Sequence, residues 1–376
     1  MTQLNPDLPA IARAFDIPGE FLSALPTGSG HINDSYCATF EVSGQPARAI
    51  LQRINHHIFN DPAALMENIQ RVTSHLATKL AAEPDSHRRT LTLIPARDSR
   101  PWHIDPLGNY WRAYRFIEHA RTFDIVESPA QAYQAAKAFG HFQLLLADLP
   151  APRLHDNIPD FHHTPRRFAA LEHAINADVV NRAQLARPEI DFALAGRDLA
   201  SVLLDAQLPE RVTHNDTKFN NVMLDDRTGE AICVIDLDTV MPGLAPFDFG
   251  DMVRTTTSSA AEDEQDLSKV TLQFPIFEAL LRGYLASAGG FLTPAERSHL
   301  VAAGKVITFE QGIRFLTDYL AGDPYYKTHR PNQNLDRCRT QFKLVASIQQ
   351  QEDAMHRLVE SVENREPPSS AVRSPA

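Results

Sequence analysis

Two short acidic segments bracket a strand–turn–strand pattern between residues 214 and 238, and they restrict the fold of this chain more than any other feature. The first reads His214-Asn215-Asp216-Thr217-Lys218-Phe219-Asn220-Asn221 and the second Ile235-Asp236-Leu237-Asp238. Between them, residues 221–224 and 231–235 are apolar runs of strand length on either side of Asp225-Asp226-Arg227-Thr228-Gly229, which is turn chemistry. A hairpin at this point holds Asp216, Asn221 and Asp236 on rigid backbone at one end of a sheet.

The intervals narrow the chemistry. An acid two residues after a His, an Asn five residues after that acid, and a second acid about twenty residues on is the order of a kinase catalytic loop and its metal ligand. Asp216, Asn221 and Asp236 meet each interval. Phosphoryl transfer asks little more of a protein than a carboxylate for the acceptor hydroxyl and oxygen ligands for magnesium around ATP. Any single Asp here reads more readily as a solvated turn residue. The ordered set His214, Asp216, Asn221, Asp236 and Asp238 does not. Asp248-Phe249-Gly250 imitates the metal-binding triplet of protein kinases but falls beyond the slot for that role. Asp236 is therefore the expected ligand, with Asp248 and Asp251 in a structural loop that caps the next helix or bonds to the catalytic loop.

At 376 residues the chain exceeds the usual single core, so two lobes are expected. Its 43% hydrophobic and 22% charged fractions are those of an ordinary globular protein. A net charge of −11 argues against a nucleic-acid surface, which selects basic stripes. Cys37, Cys233 and Cys338 are widely spaced and read as small buried hydrophobes in a reducing compartment. No basic leader opens the sequence and no apolar run approaches the ~20 residues that span a bilayer. A cytoplasmic protein without membrane or nucleic-acid partners is expected, as a monomer or weak homodimer. The adjacent pairs His56-His57 and His162-His163 read as surface or loop histidines.

Up to about residue 120 the pattern mixes strands with one helix. Strands are expected over 35–42 and 47–54 around a turn at 43–46, and again over 90–94 and 110–117. Asp61-Pro62 opens a helix with a capping acid and a first-position proline, and Leu65, Ile69, Val72, Leu76 and Leu80 share one face. From Ser128-Pro129 the periodicity turns helical, resuming around 190–205, 265–288, 294–321 and 335–363. These elements predict an α+β, bilobal, protein-kinase-like fold, with a small antiparallel β lobe over 1–118 and a large, mainly α-helical lobe over 119–365. A disordered tail follows over 366–376. That order puts ATP between the lobes, with a hinge near 116–119.

Gly28 and Gly30, around Ser29, allow backbone amides close to a phosphate. His31 sits at the tip of the same loop. On the third strand Gln52 stands where kinases place a phosphate-gripping Lys, sharing a face with Ile50 while Arg53 points the other way. Glu310 and Arg314, four apart on a helix, read as a surface ion pair.

With these residues in view, the chain resembles the aminoglycoside-phosphotransferase-like (choline kinase-like) kinases, and within them the branch of anomeric N-acetylhexosamine kinases. The resemblance runs through Gly30-His-Ile-Asn33, Ile50-Leu-Gln52, Phe116-Ile-Glu-His119, Val212-Thr-His-Asn-Asp-Thr-Lys218, Ile235-Asp-Leu-Asp-Thr239, Met241-Pro-Gly243, Asp248-Phe-Gly-Asp251 and Arg314-Phe-Leu316. It weakens over 83–110. The branch also carries Gln on its third strand. The resemblance implies ATP and Mg²⁺ as cofactors, Asp216 as catalytic carboxylate and Asn221 and Asp236 as metal ligands. It further implies His31, Tyr114, Asp238, Thr239, Arg314 and Tyr325 at the sugar, and Gly28, Ser29, Gly30, Ile50, Gln52, Phe116 and Glu118 at the nucleotide. The implied reaction phosphorylates the C1 hydroxyl of N-acetylglucosamine or N-acetylgalactosamine. The alternatives are a kinase of the same fold for another alcohol (an aminoglycoside, choline or homoserine) and a non-enzymatic nucleotide-binding scaffold.

Overall fold

The computed structural model describes residues 6–28 and 32–363. The expected tail over 366–376 and the loop residues Ser29, Gly30 and His31 lie outside the described residues. In chain order the first elements are α1 (Leu8–Ala14), β1 (Glu20–Pro26), β2 (Asp34–Val42), β3 (Gln45–Ile54), α2 (Pro62–Lys79), β4 (Leu93–Ile94), β5 (His103–Ile104), β6 (Tyr110–Arg115) and β7 (Ala120–Arg121). There follow α3 (Pro129–Leu146), α4 (Thr164–Ala177), α5 (Arg187–Ala195), α6 (Val202–Asp205), β8 (Glu210–Thr213), β9 (Val222–Asp225), β10 (Ala231–Val234) and β11 (Met241–Leu244). The chain continues through α7 (Ala245–Thr256), α8 (Phe274–Ala288), α9 (Pro294–Ser298), α10 (Leu300–Leu320) and α11 (Gln333–Glu363).

Two compact units emerge. One takes residues up to Asp124, Asp148–Pro159 and Val222–Pro242, and the other takes the remainder. In the first unit the strands form an antiparallel sheet in the order β1-β2-β3-β6-β4, with β5 also paired to β6. Its core gathers Phe15, Phe40, Leu51 and Trp111. The hairpin expected from the acidic segments is β9–β10, extended by β7 into a small three-stranded sheet. Helix α2 starts as its sequence dictates, with the Asp61 side chain accepting from the Ala64 amide and Pro62 in the first turn. Leu65, Ile69, Val72 and Leu76 are all buried, each contributing about 1.5–3 kcal/mol of burial.

Three expectations shift. The turn between β2 and β3 tightens to Ser43-Gly44, because pairing runs out to Val42↔Gln45. The strand expected over 90–94 shrinks to Leu93–Ile94, although the Arg115 amide still donates to the Thr92 carbonyl at 2.9 Å. The strand expected over 110–117 ends at Arg115. The second unit is helical as expected, and its core packs Phe309, Ile313, Leu316 and Phe342 against Leu171 and Ile190. The three cysteines are free; Cys233 and Cys338 are buried and Cys37 is half-buried. Among the described residues no helix is long and apolar enough to cross a membrane.

Candidate active site

In the helical unit, the segment after β8 is fixed by a carboxylate clamp. Asp248, fully buried in α7, accepts from the His214 amide at 2.9 Å, the Asn215 amide at 2.7 Å and the Gln143 side chain at 2.6 Å. Asp251, one turn on, accepts from the Thr217 amide at 2.8 Å, and the Thr217 hydroxyl donates to the Asp248 carbonyl at 2.6 Å. Of the two roles expected for these acids, bonding to the loop is the one observed. They act from a helix, not from a loop, because Pro246 and the apolar face of 245–256 start α7 earlier than the triplet suggests. The His214 ring, buried between the edges of Phe139 and Phe142, takes a weak bond from the Asp216 amide at 3.3 Å. Asn215 lies at φ 65°, a strained position for a residue with a side chain. Gly243 leaves room for this geometry, since a Cβ there would meet the Thr213 hydroxyl oxygen at 2.4 Å.

The clamp presents Asp216, whose carboxylate lies 3.0 Å from Lys218 Nζ and keeps about a quarter of its exposure (23%). Burial alone would push this carboxyl up, but Lys218, His214 and Arg254 outweigh it and hold it below the usual carboxylate range. Lys218 is pushed up to about 12, chiefly by the Asp216 charge. Asn221 closes the loop: its amide nitrogen donates to the Asp216 carbonyl at 2.8 Å and reaches the carboxylate at 3.3 Å. Its amide oxygen is chemically the kind of hard donor a magnesium ion takes. Among the described residues no group of three or more His, Cys, Asp or Glu side chains is arranged to hold a metal. A Mg²⁺ site needs only one or two protein oxygens, with water and phosphate supplying the rest.

Next to this loop lies a second buried assembly that the sequence reading assigned wrongly. Glu310 is not half of a surface ion pair. It is buried, with Oε1 at 2.9 Å from His162 Nδ1 and Oε2 accepting from the Thr164 hydroxyl at 2.7 Å. His162 is likewise no surface histidine, because the start of α4 folds it inward against Phe247. Arg314 bonds instead to Gln311 at 3.2 Å and lies over the rings of Phe161 and Tyr326. Arg167 donates to the backbone carbonyls of Asp160 and Phe161, and its Nε is buried without a partner among the described residues. Burial and the nearby Arg314 charge lower the Arg167 pKa. Tyr325 stands 60% exposed beside Tyr326.

The sheet unit holds the other expected residues. Asp236, at φ 59°, opens a tight turn, Leu237–Thr239. Asp238 and Thr239 are buried within it. The Asp238 carboxylate takes Arg112 on one oxygen and the Asn33 side chain on the other, while Asn157 donates to its carbonyl at 2.9 Å. Arg112, only 1% exposed, reaches back to Gln52 Oε1 with Nε at 2.8 Å and Nη2 at 2.6 Å, and Gln52 passes its own N–H to the Ser35 hydroxyl. Gln52 and Arg112 face each other directly across β3 and β6. A cation thus stands beside Gln52 on the neighbouring strand, engaged by Gln52 and Asp238. Burial would depress the Arg112 pKa, but Asp238 and other nearby groups more than offset it. Tyr114, opposite Ile50, is buried with its hydroxyl unpartnered among the described residues, and burial raises its pKa. Arg48 stacks at 3.9 Å over Phe116 and pairs with Glu118. Gly28 has φ 84° and open space around its Cα. Arg112 and Arg254 were not singled out from sequence, and Lys218 and His162 were given no role at the site. The only available signal was Arg112's placement in register with Gln52.

Residues 23–282 match the family described as the phosphotransferase enzyme family. Solved structures with a similar fold include an aminoglycoside phosphotransferase from Alicyclobacillus acidocaldarius, at 13% identity and TM-score 0.59, covering 97% of this chain and 98% of the other. A microcompartment-associated aminopropanol kinase matches at 15% identity and TM-score 0.55, covering 93% and 98%. A choline/ethanolamine kinase family protein from Mesorhizobium loti matches at 17% identity and TM-score 0.54, covering 94% and 98%. With an antiparallel sheet in one unit, helices in the other and a clamped His–Asn–Asp loop between β8 and β9, the chain belongs to the phosphotransferase enzyme family and has its kinase-like aminoglycoside phosphotransferase fold.

Proposed function

We propose that this phosphotransferase is an ATP- and Mg²⁺-dependent anomeric sugar kinase that converts an N-acetylhexosamine, N-acetylglucosamine or N-acetylgalactosamine, to its 1-phosphate. The observation that carries the reading is Asp216, a carboxylate kept ionised by Lys218 and Arg254 and fixed beside Asn221. The choice of acceptor draws support from charge. Among the described residues neither Arg167 nor Arg314 makes an ion pair with a carboxylate, and both lie with Phe161, Tyr325 and Tyr326. Guanidinium groups and aromatic faces suit a neutral, oxygen-rich ring. They repel the ammonium group of an amino alcohol or aminoglycoside.

In this reading the C1 hydroxyl donates its hydrogen bond to Asp216 and its oxygen attacks the γ-phosphorus. The bond from that phosphorus to the β–γ bridging oxygen breaks, ADP leaves, and the hydroxyl proton passes to Asp216 and then to solvent. Asn221 and Asp236 would hold Mg²⁺, which when bound neutralises charge on the phosphates. His31, Tyr114, Asp238, Thr239, Arg314 and Tyr325 are assigned to the sugar. Gly28, Ser29, Gly30, Ile50, Gln52, Phe116 and Glu118 are assigned to the nucleotide.

An ADP-release assay over N-acetylhexosamines, hexosamines, choline, aminopropanol and aminoglycosides tests the acceptor, and ³¹P NMR of the product locates the phosphate. Transfer to C1 of an N-acetylhexosamine is expected. Phosphate on C6, or turnover confined to amino alcohols, overturns the assignment. Asp216→Asn is expected to lose about 10²–10⁴-fold in kcat with an unchanged melting temperature.

A further inference from the structure

We propose that Arg88 is a positioning residue for nucleotide recognition, clamping the peptide between Glu118 and His119 so that the 116–119 segment meets an adenine base in one shape. The inference rests on the proposed assignment of Phe116 and Glu118 to the nucleotide. Arg88 closes the tight turn Ser86–Arg88, and its side chain is only 11% exposed. Its guanidinium makes three bonds within the sheet unit. Nε donates to the Glu118 carbonyl at 3.0 Å, while Nη2 donates to the His119 carbonyl at 2.8 Å and to Asp225 Oδ2 at 2.9 Å. A planar fork of donors can meet two consecutive carbonyls and a carboxylate together. The point charge of a lysine cannot hold all three in fixed directions.

The segment needs such a clamp. His119 lies at φ 56°, a left-handed position disfavoured for a residue with a side chain. Successive carbonyls of an extended strand point to opposite sides, whereas those of Glu118 and His119 reach one guanidinium. The peptide joining these two residues is trans and planar, so fixing its carbonyl also fixes the His119 N–H on the opposite edge. The anchor is itself rigid. Asp225, 6% exposed at the end of β9, accepts on its other oxygen from the Arg227 amide at 3.0 Å and the Thr228 amide at 2.9 Å. The Asp226 amide adds a second bond to the His119 carbonyl at 3.0 Å. Ile117 packs with Ile232 and Cys233 of the same hairpin, and Arg48 lies over Phe116 and pairs with Glu118. Those contacts seat the side chains of the segment; Arg88 sets the direction of its peptide groups. Without the fork, the left-handed backbone at His119 is free to relax.

Calorimetric titration of the full chain with ADP and with inorganic tripolyphosphate, which carries no base, tests this role in the presence of Mg²⁺. Arg88→Met is expected to weaken ADP about 10-fold, the loss of about one well-placed hydrogen bond, and to leave tripolyphosphate within about twofold. In turnover, KM for ATP should rise by about the same factor while KM for the acceptor stays within about twofold. Arg88→Lys keeps a cation for Asp225, so it should recover most of the melting temperature lost in Arg88→Met but not the ADP affinity. Unchanged ADP affinity in Arg88→Met overturns the proposal, as does an equal weakening of tripolyphosphate. So does an Arg88→Lys protein restored in both stability and affinity. If Arg88→Met does not fold, Arg88→Lys decides by the same two titrations. An azido-ADP photoprobe is expected to label the wild-type peptide that contains residues 116–119. A label elsewhere refutes the nucleotide assignment and this role with it. A label there, with unchanged affinity in the variants, refutes the role of Arg88 and leaves the assignment standing.

Discussion

Arg112 shows how much one side chain carries in the sheet unit. Its guanidinium is buried and answers the Asp238 carboxylate directly. Removing one member of a buried pair leaves the other charged and unpaired, which costs about 3–5 kcal/mol. Arg112→Met is expected to lose that much in urea unfolding, whereas the double variant Arg112→Met/Asp238→Asn should recover a large part of it. Comparable losses in both proteins would show that packing, not charge, makes the residue important. The sequence showed Gln52 where a Lys was expected, but not the Arg112 that bonds to it. Its partner Asp238 is 126 residues away, and no local periodicity encodes that contact. The same holds for His162 and Glu310, separated by 148 residues. Asp216 and Asn221, by contrast, share one loop, and their spacing alone was enough to place them together.

Among the elements, the contact between α7 and α10 governs the supports of the 214–217 loop within the helical unit. Helix α7 supplies Asp248 and Asp251 to the loop from one side, and α10 supplies Glu310 behind His162. The two helices approach closely at glycines: a Cβ on Gly250 would sit 2.5 Å from the Ala303 carbonyl oxygen, and one on Gly304 would sit 2.9 Å from Val253. Gly250→Ala must push the helices apart, and overpacking of this kind costs about 1–3 kcal/mol. Loss of kcat alongside a lowered melting temperature is expected, and an unchanged kcat would uncouple the helix contact from the loop. Asp248→Asn keeps the side chain's shape but turns an N–H toward a donor. A kcat loss of at least about tenfold with native circular dichroism is the expected outcome. The helices themselves were legible from periodicity and from the caps at Asp61-Pro62 and Ser128-Pro129. The role of α7 was only half legible, because its Asp-Phe-Gly mimics another motif and hides a helix start.

For the whole molecule, acid and alkaline stability follow from the same groups. The carboxyls of Asp216, Glu296 and Glu310 all lie below their ordinary values of 3.8 or 4.5. Each contributes stability that is present above those values and lost as pH falls through the lower folded ones. The raised carboxyls of Asp248 and Asp318 act in the opposite sense, giving up stability as pH rises through their folded values. Lys218 contributes fully below 10.5 and loses its share as pH rises through about 12. The melting temperature is therefore expected to hold level around neutrality and to drop below about pH 4, and Glu310→Gln should soften that acid decline. A wild-type melting curve that is flat down to pH 2 would contradict this.

The supports under Asp216 come from helices α7 and α10, whereas Tyr325 and Tyr326 stand on the segment that follows α10, their amides received by Asp318. Exchanging those two tyrosines leaves every bond to residues 214–217 in place. Under the proposed assignment of Tyr325 to the acceptor, a lineage built on this plan would retune its choice of alcohol by editing one short stretch after α10, with the bonds that hold residues 214–217 inherited unchanged.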